Sequence, residues 1–392
     1  MLEDDSGRIR IVGDMLKTMP LVTGCIIAVM GTENASGELE VVDVKFPDLP
    51  PQPDRWALGK APNGKHKQEP DTEMSNGSSP SQSLQGNKQI ALVSGLSFAG
   101  SDASYALELN LLLEYLLGEA LSPSAQAQVS QISRLVIAGN SIRAANTLPE
   151  DDAAAESGGV GSGSDKKNKK YGYDSSTYNA LPSQLFDEFV AELLPSMPLT
   201  LLPGEQDPAN ASYPQQPIHP AMFPMSKAFT SDPISKEPAW FDSVTNPWEA
   251  EVEGWRVLGT GGQNVDDVFK YVDSDDRLGM MEAMCRWRCC APTAPDTLCK
   301  LPKRCRWSRN RNEKLTVRVG SYPFQDDDPF VMKTCPHLYF VGNQPEFGTR
   351  VIHGLDGQTV RLVAVPSFAK TKEIVLVDVE TLEVSKVKIE VA

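Results

Sequence analysis

The run Leu199-Thr200-Leu201-Leu202-Pro203-Gly204-Glu205-Gln206-Asp207-Pro208-Ala209-Asn210 decides the fold class. A short apolar stretch gives way at once to Pro-Gly and then to small and polar residues. Such a run, bounded by turn residues, reads as a fully buried strand. Three other stretches have the same form. Ile90 to Val93 ends at Ser94-Gly95-Leu96, Leu135 to Ala138 at Gly139-Asn140-Ser141, and Leu338 to Val341 at Gly342-Asn343-Gln344-Pro345. Between them lie helical spacings. Leu107, Leu111, Leu112, Tyr115 and Leu116 recur at three- and four-residue steps, with Ser101 or Asp102 as cap. Leu185 to Leu194 reads as a short amphipathic helix. Strand, glycine loop, then helix or irregular segment is the pattern of layered α/β folds. Their binding sites lie at the C-terminal ends of the strands, so those loops are where chemistry is to be sought.

Working outward, residues 89–392 form the α/β domain. Its C-terminal part is strand-rich: Val360 to Val365, Ile374 to Val379, and a last strand near Val384 to Val391. Two stretches interrupt it. Residues 149–172 include the low-complexity run SGGVGSGSDKKNKK and read as a surface loop. Residues 299–321 form an atypical basic run. Residues 1–57 read as β, with Ile9 to Val12, Leu21 to Met30 and Leu39 to Lys45 as strands and Pro47 to Pro53 as their stop. Residues 58–88, rich in Gly, Ser, Pro, Lys and Gln, read as a disordered linker.

The chain has 392 residues, 40% of them hydrophobic, enough for a sizeable core. Its net charge of -15 gains nothing from counterion release on DNA. Any nucleic-acid contact would need a partner or a local basic patch. The charged N-terminus lacks a signal-peptide core, and Leu21 to Met30 is too short to span a bilayer. Seven cysteines in no regular framework point to a reducing compartment.

The four strand-end loops are similar in order and context to those of calcineurin-like metallophosphoesterases. The wording goes further. LLPGEQDPAN, PQQPIHPAMFP, TNPW, GTGGQNVDDVFKY, CPHLYFVGNQPEF and GQTVRLVAVPSFAKTKEIVLVDVETLE occur in the order found in one branch of that superfamily. They resemble the B-subunit family of the replicative DNA polymerases alpha, delta and epsilon, in its delta branch. PLVTGCIIAVMGTE with FPDLPPQ resembles the end of that family's OB domain. The resemblance implies an α/β two-sheet phosphoesterase-like sandwich flanked by helices, with a partial OB-fold domain. It implies a nuclear, non-catalytic accessory scaffold in DNA replication and repair. Its partners would be the polymerase's catalytic subunit and third subunit, with DNA and the sliding clamp reached indirectly and no membrane. An alpha or epsilon B subunit, or an active metal-dependent phosphodiesterase or nuclease, are the alternatives. A defective product is another.

The superfamily holds two metals with Asp, His and Asn side chains that turn a bridging water into a nucleophile. Here Ser94 and Leu96 stand at the first loop and Asn140 at the second. Glu205 and Gln206 stand at the third, and Asn343 and Pro345 at the fourth. No catalytic residue, metal or cofactor is expected. The loops would keep their glycines because the tight turns survive.

Other candidates are weighed against plainer roles. Cys285, Cys289, Cys290, Cys299 and Cys305 lack a CxxC pair, so buried thiols compete with a zinc site. The basic run 299–321 reads as an untypical insertion, such as a translated intron, or as a DNA-contacting loop; a transcript lacking these codons would mark the first. Residues 1–57 contain only Phe46 and Trp56 as aromatics, which favours an interaction module over single-strand binding. The stretch is short for a five-stranded barrel, so the chain reads as beginning inside the domain. Asn264 is expected to cap a helix over Val265 onward. His219 and His337, each beside proline, are read as structural, and His353 makes no site alone. Trp240, Trp248 and Trp255 are read as interface anchors or as cover for the core edge.

Overall fold

The computed structural model describes residues 1–4, 6–55, 88–99, 106–119, 122–143, 179–210, 212–230, 239–294 and 327–390. Residues 58–87 of the linker, both insertions, Ser101, Asp102, Trp56, Cys299 and Cys305 lie outside them.

The N-terminal elements are β1 (Leu2–Asp4), β2 (Gly7–Val12), helix α1 (Met15–Thr18), β3 (Ala28–Glu33) and β4 (Glu38–Lys45). They form a sheet in the order β1-β2-β4-β3. The expected strand over Leu21 to Met30 is corrected here, because pairing starts only at Ala28. Pro20 has no N–H to give. Gly24, in the left-handed region at φ +85°, lies so close to Pro292 that a Cβ would overlap its carbonyl. Residues 21–27 therefore dock on the second domain, with Val22 buried among its side chains.

The second domain runs through β5 (Gln89–Val93), α2 (Ala106–Leu117), α3 (Pro123–Val129), β6 (Ile132–Ala138), α4 (Leu181–Leu193), β7 (Leu199–Leu202), β8 (Phe241–Ser243), β9 (Trp248–Val252) and β10 (Trp255–Thr260). It continues through α5 (Gln263–Phe269), α6 (Arg277–Arg286), β11 (Leu338–Gln344), β12 (Gly348–His353), β13 (Thr359–Pro366), α7 (Phe368–Thr371), β14 (Glu373–Asp378) and β15 (Val384–Lys388). One sheet runs β15-β14-β5-β6-β7-β8 and the other β12-β13-β11-β10-β9. Each holds a parallel run: β5 to β8 in the first, β10, β11 and β13 in the second.

Strand alternation sorts the side chains into three layers. Ile90, Leu92, Val136, Ala138, Leu202, Val375 and Val377 face inward against Val257, Leu338, Phe340, Val363 and Val365 of the other sheet. The opposite face of the first sheet, with Val93, Ile137 and Leu201, buries α2 and α4. The opposite face of the second, with Leu258, Tyr339 and Leu362, buries α5 and α6. Two sheets covered by helices explain why the strands read as continuous apolar runs rather than alternating ones. In α2 the buried stripe is Leu109, Leu112 and Leu116, whereas Leu107 faces solvent. α4 begins earlier than its apolar spacing suggested, since Pro182 is tolerated in a first turn.

The segment Phe46 to Gln52 fastens the N-terminal sheet to this domain. Arg288 donates from Nε to Asp48 O at 2.8 Å and from Nη2 to Pro47 O at 3.0 Å and Leu49 O at 3.1 Å. Arg286 pairs with the Asp48 carboxylate. Gln52 Nε2 donates to Thr359 O at 2.7 Å and Pro336 O at 3.1 Å, and Cys335 N to Pro51 O at 2.9 Å. Arg288→Ala removes three hydrogen bonds, leaving the Pro47 and Asp48 carbonyls without theirs while Leu49 O keeps only Gln358 Nε2 at 3.4 Å. We expect a loss of about 3 kcal/mol, from roughly 1 kcal/mol per bond. Urea unfolding would measure it, and a loss under about 1 kcal/mol would show that Arg288 is not what holds the strap.

The tryptophans divide. Trp248 tilts against Phe340, and Trp255 donates to Val379 O at 2.5 Å beneath the Arg55 guanidinium, so both cover the core edge. Trp240 is 45% exposed. His219 and His337 each use Nδ1 to accept a backbone N–H, from Ala221 at 3.1 Å and Arg256 at 3.2 Å. Exposed His353 lies 3.4 Å from Thr359 Oγ1. Cys285, Cys289 and Cys290 are buried among α5 and α6. Burial pushes the Cys289 thiol up to about 12, which disfavours the thiolate that binds zinc.

Candidate functional site at the strand ends

The parallel strands of both sheets end on one side of the sandwich, and their loops interlock there. Gly95 N donates to Gly139 O at 2.9 Å and Ser97 N to Asn140 O at 2.9 Å. Gly139 and Gly204 pack backbone to backbone, with a Cβ on Gly139 lying 3.0 Å from Gly204 Cα. A side chain at Gly204 would overlap Asn140. The glycines are required by this close approach.

Ser94, wholly buried, accepts from Asn343 N at 2.8 Å and lies 3.0 Å from Pro366 O and 3.2 Å from Val365 O. Asn343 Nδ2 donates to Gly261 O at 2.8 Å and Ala138 O at 3.2 Å, so one amide ties β10 and β6 across the two sheets. Asn140 Oδ1 accepts from Gln206 N at 3.0 Å. Both asparagines sit in the left-handed region, at φ +54° for Asn140 and +57° for Asn343, which Asn tolerates better than most residues. Leu96 is buried in the outer core, while Glu205, Gln206 and Pro345 have exposed side chains. The quoted loops thus converge, but four of those seven side chains do not point into a common centre.

What fills the centre is a cluster the sequence did not announce. Asn246, fully buried, donates from Nδ2 to Pro203 O at 3.0 Å, Gln215 Oε1 at 3.0 Å and Gln263 Oε1 at 2.9 Å. Its Oδ1 accepts from Gly261 N at 3.1 Å and Tyr213 OH at 3.2 Å. Gln215 Nε2 reaches Gly204 O at 3.0 Å. These groups are neutral amides whose oxygens and nitrogens satisfy one another. Among the described residues no three His, Cys, Asp or Glu gather as a metal would require. The one signal in the sequence was the amide content of PQQP, TNPW and GGQN.

Asn264 also departs from expectation. It is not the cap of α5; Gly262, at φ +107°, occupies that position. Asn264 is instead buried, donating to Cys290 O at 2.7 Å and Tyr339 OH at 3.1 Å and accepting from Thr260 Oγ1 at 3.0 Å. Tertiary partners outbid the local cap.

Asp207 is the buried carboxylate of the cluster. Oδ1 accepts from Ile142 N and Oδ2 from Gly204 N, both at 2.7 Å. Burial raises its carboxyl from 3.8 to about 6, against the backbone N–H groups that favour the anion. The folded value exceeds the unfolded one, so the folded state takes up the proton first. Stability from this group is full below pH 3.8 and is lost as pH rises through 6. Between pH 7 and 4.5 the wild type should gain about 2 kcal/mol relative to Asp207→Asn, from about 1.4 kcal/mol per pH unit. Parallel urea titrations would show it; curves that stay parallel across that range would refute it.

The comparisons with known proteins bear on this frame. Residues 90–349 match the family model of the B subunit of DNA polymerase alpha/epsilon, and residues 1–44 match that of the DNA polymerase delta subunit OB-fold domain. A DNA polymerase delta small subunit from Arabidopsis thaliana is 33% identical over 98% of this chain and 70% of its own length. The chain belongs to the DNA polymerase delta small-subunit family. The Saccharomyces cerevisiae small subunit is 31% identical over the whole chain and 70% of its own length. Delta subunit 2 of Drosophila melanogaster is 30% identical over 98% of this chain and 72% of its own. The family is that of an accessory subunit of a replicative polymerase, not the catalytic one, and the delta OB-fold match and these relatives do not favour the alpha or epsilon alternatives.

Proposed function

We propose that this chain is the non-catalytic scaffold of a DNA polymerase delta complex in the nucleus. It joins the catalytic subunit's C-terminal domain to the third subunit, and meets the sliding clamp through them. On this reading Ser94, Leu96, Asn140, Glu205, Gln206, Asn343 and Pro345 mark a phosphoesterase site that has lost its ligands. The domains are an OB portion over 1–57, a linker over 58–88 and the phosphoesterase-like domain over 89–392. The observation that supports it is the Asn343 amide bonded to Ala138 O and Gly261 O, a neutral strut among the converging strand-end loops. A two-metal hydrolase needs carboxylate and imidazole ligands converging on an open position.

Two assays test it. The full chain should co-purify with the C-terminal domain of a delta catalytic subunit in equal amounts. It should leave a generic phosphodiester such as bis(p-nitrophenyl) phosphate intact in the presence of manganese. No complex would sink the scaffold role, and metal-dependent hydrolysis would revive the enzyme reading.

A further inference from the structure

β9 ends the five-stranded sheet, and its outer edge carries free backbone. Its register against β10 sets Val252 opposite Trp255, Glu251 opposite Arg256 and Glu249 opposite Leu258. The turn between the two strands is Glu253 at φ +51° and Gly254 at φ +80°, the backbone of a tight two-residue hairpin. Such a turn makes Val252 and Trp255 a hydrogen-bonded pair, and bonded and unbonded pairs then alternate along the ladder. Arg256 accordingly turns its backbone to the other side: its N–H reaches His337 Nδ1 at 3.2 Å and its carbonyl accepts from His337 N at 2.8 Å. The N–H and C=O groups of Glu251, and of Glu249 two residues before it, therefore point away from the sheet. Among the described residues nothing bonds them.

The same two residues carry the charge. Glu249 and Glu251 are exposed, and among the described residues neither has a cation within ion-pair distance; Arg256, opposite Glu251, makes no ion pair with it. Trp248, Ala250 and Val252 alternate with them and are half-buried, Trp248 and Val252 against the core between the sheets. Charge on an edge strand deters pairing with a second copy, since Glu would meet Glu. It does not deter a strand of opposite sign. The carboxylates also repel a phosphate backbone, so nucleic acid does not fit this edge.

From this geometry we propose that β9 takes up an extended segment of a partner protein as a further strand of the sheet. The segment carries Lys or Arg at alternate positions, facing Glu249 and Glu251, and apolar residues between them, beside Trp248 and Val252. In strand addition the main-chain hydrogen bonds give affinity and every second side chain gives the choice of partner. Here one pair of residues offers both the free backbone and the charge. This contact stands on its own and does not rest on the scaffold role.

The test uses the full chain and a short fluorescent peptide that alternates valine and lysine, read by anisotropy. A peptide of the same composition with its lysines in one block should bind at least about tenfold more weakly. So should the alternating peptide N-methylated along its backbone, which loses the donors and keeps the charge. E249K/E251K should lose at least about tenfold in affinity, and E188K/E192K, the same charge change on exposed acids of α4, less than about twofold. E251P removes an outward N–H without breaking a bond to β10, and should bind at least about tenfold more weakly than E251A. Equal losses in the two charge-reversed pairs, equal binding of the three peptides, E251P binding as tightly as E251A, or no binding by the wild type would each overturn the proposal. A carbodiimide cross-link from Glu249 or Glu251 to residues 299–321 in the free chain would overturn it too, giving the edge to the chain's own basic run.

Discussion

Gly342→Ala should cost about 3 kcal/mol or more, a large share of the roughly 5–15 kcal/mol by which ordinary domains are stable. Its Cβ would overlap the carbonyl of Ala138 and come within 3.0 Å of the Ala138 side chain. Ala138 ends β6, which lies between β5 and β7; Gly342 lies on β11, which lies between β13 and β10. Neither strand can retreat without breaking ladders on both sides. Gly357→Ala is the control. Its Cβ would meet nothing within 4 Å, and only the φ of +86° resists it, at roughly 1–2 kcal/mol. The measurement is the urea midpoint of each variant with unchanged slope. A Gly342→Ala protein within about 1 kcal/mol of wild type would mean the two sheets separate more easily than their close approach implies.

Asn246→Ala should be at least comparable, at about 4 kcal/mol. It strands the Gly261 N–H, the Pro203 carbonyl and Gln263 Oε1, whereas Gln215 Oε1 keeps Gln263 Nε2 at 2.8 Å, and each stranded group costs about 1–3 kcal/mol when little relaxation is possible. Asn246→Asp separates hydrogen bonding from packing. The shape is kept, but a carboxylate would face three acceptors at the place where Nδ2 now donates. Asp should therefore rescue nothing. Rescue by Asp would show that volume, not the amide, matters there.

The two-sheet architecture was legible because buried parallel strands leave a coarse mark: apolar runs stopped by glycine. Ile90 to Val93, Leu135 to Ala138, Leu199 to Leu202 and Leu338 to Val341 all carry it, and all became inner strands. Strands β8, β9, β10 and β12 went unread; β8, β9 and β12 are edges, which pair on one side only, and Trp248-Glu249-Ala250-Glu251-Val252 carries two charges, whereas β10 is an inner strand that was missed all the same. The strand expected over Leu21 to Met30 failed for a different reason. Val22 is buried against another domain rather than in a sheet, while Ile26 and Met30 are exposed. At the strand ends the loops could be read and their contents could not. Asn246, Gln215 and Gln263 are distant in sequence and uncharged, and an amide that serves as a strut is spelled like one on a surface loop. Asn264 shows the same ambiguity from the other direction: a residue type fit for capping was drawn inward by Cys290 and Tyr339.

The grip of Arg288 on Pro47, Asp48 and Leu49 has a consequence for how this family can vary. An arginine that holds carbonyl oxygens takes no notice of which side chains hang from them. The strap can therefore drift in sequence while its path stays fixed, so long as the arginine and the bend remain. In diverging relatives, then, the attachment of the N-terminal sheet is better traced by a single basic residue after α6 than by the wording of the segment it holds.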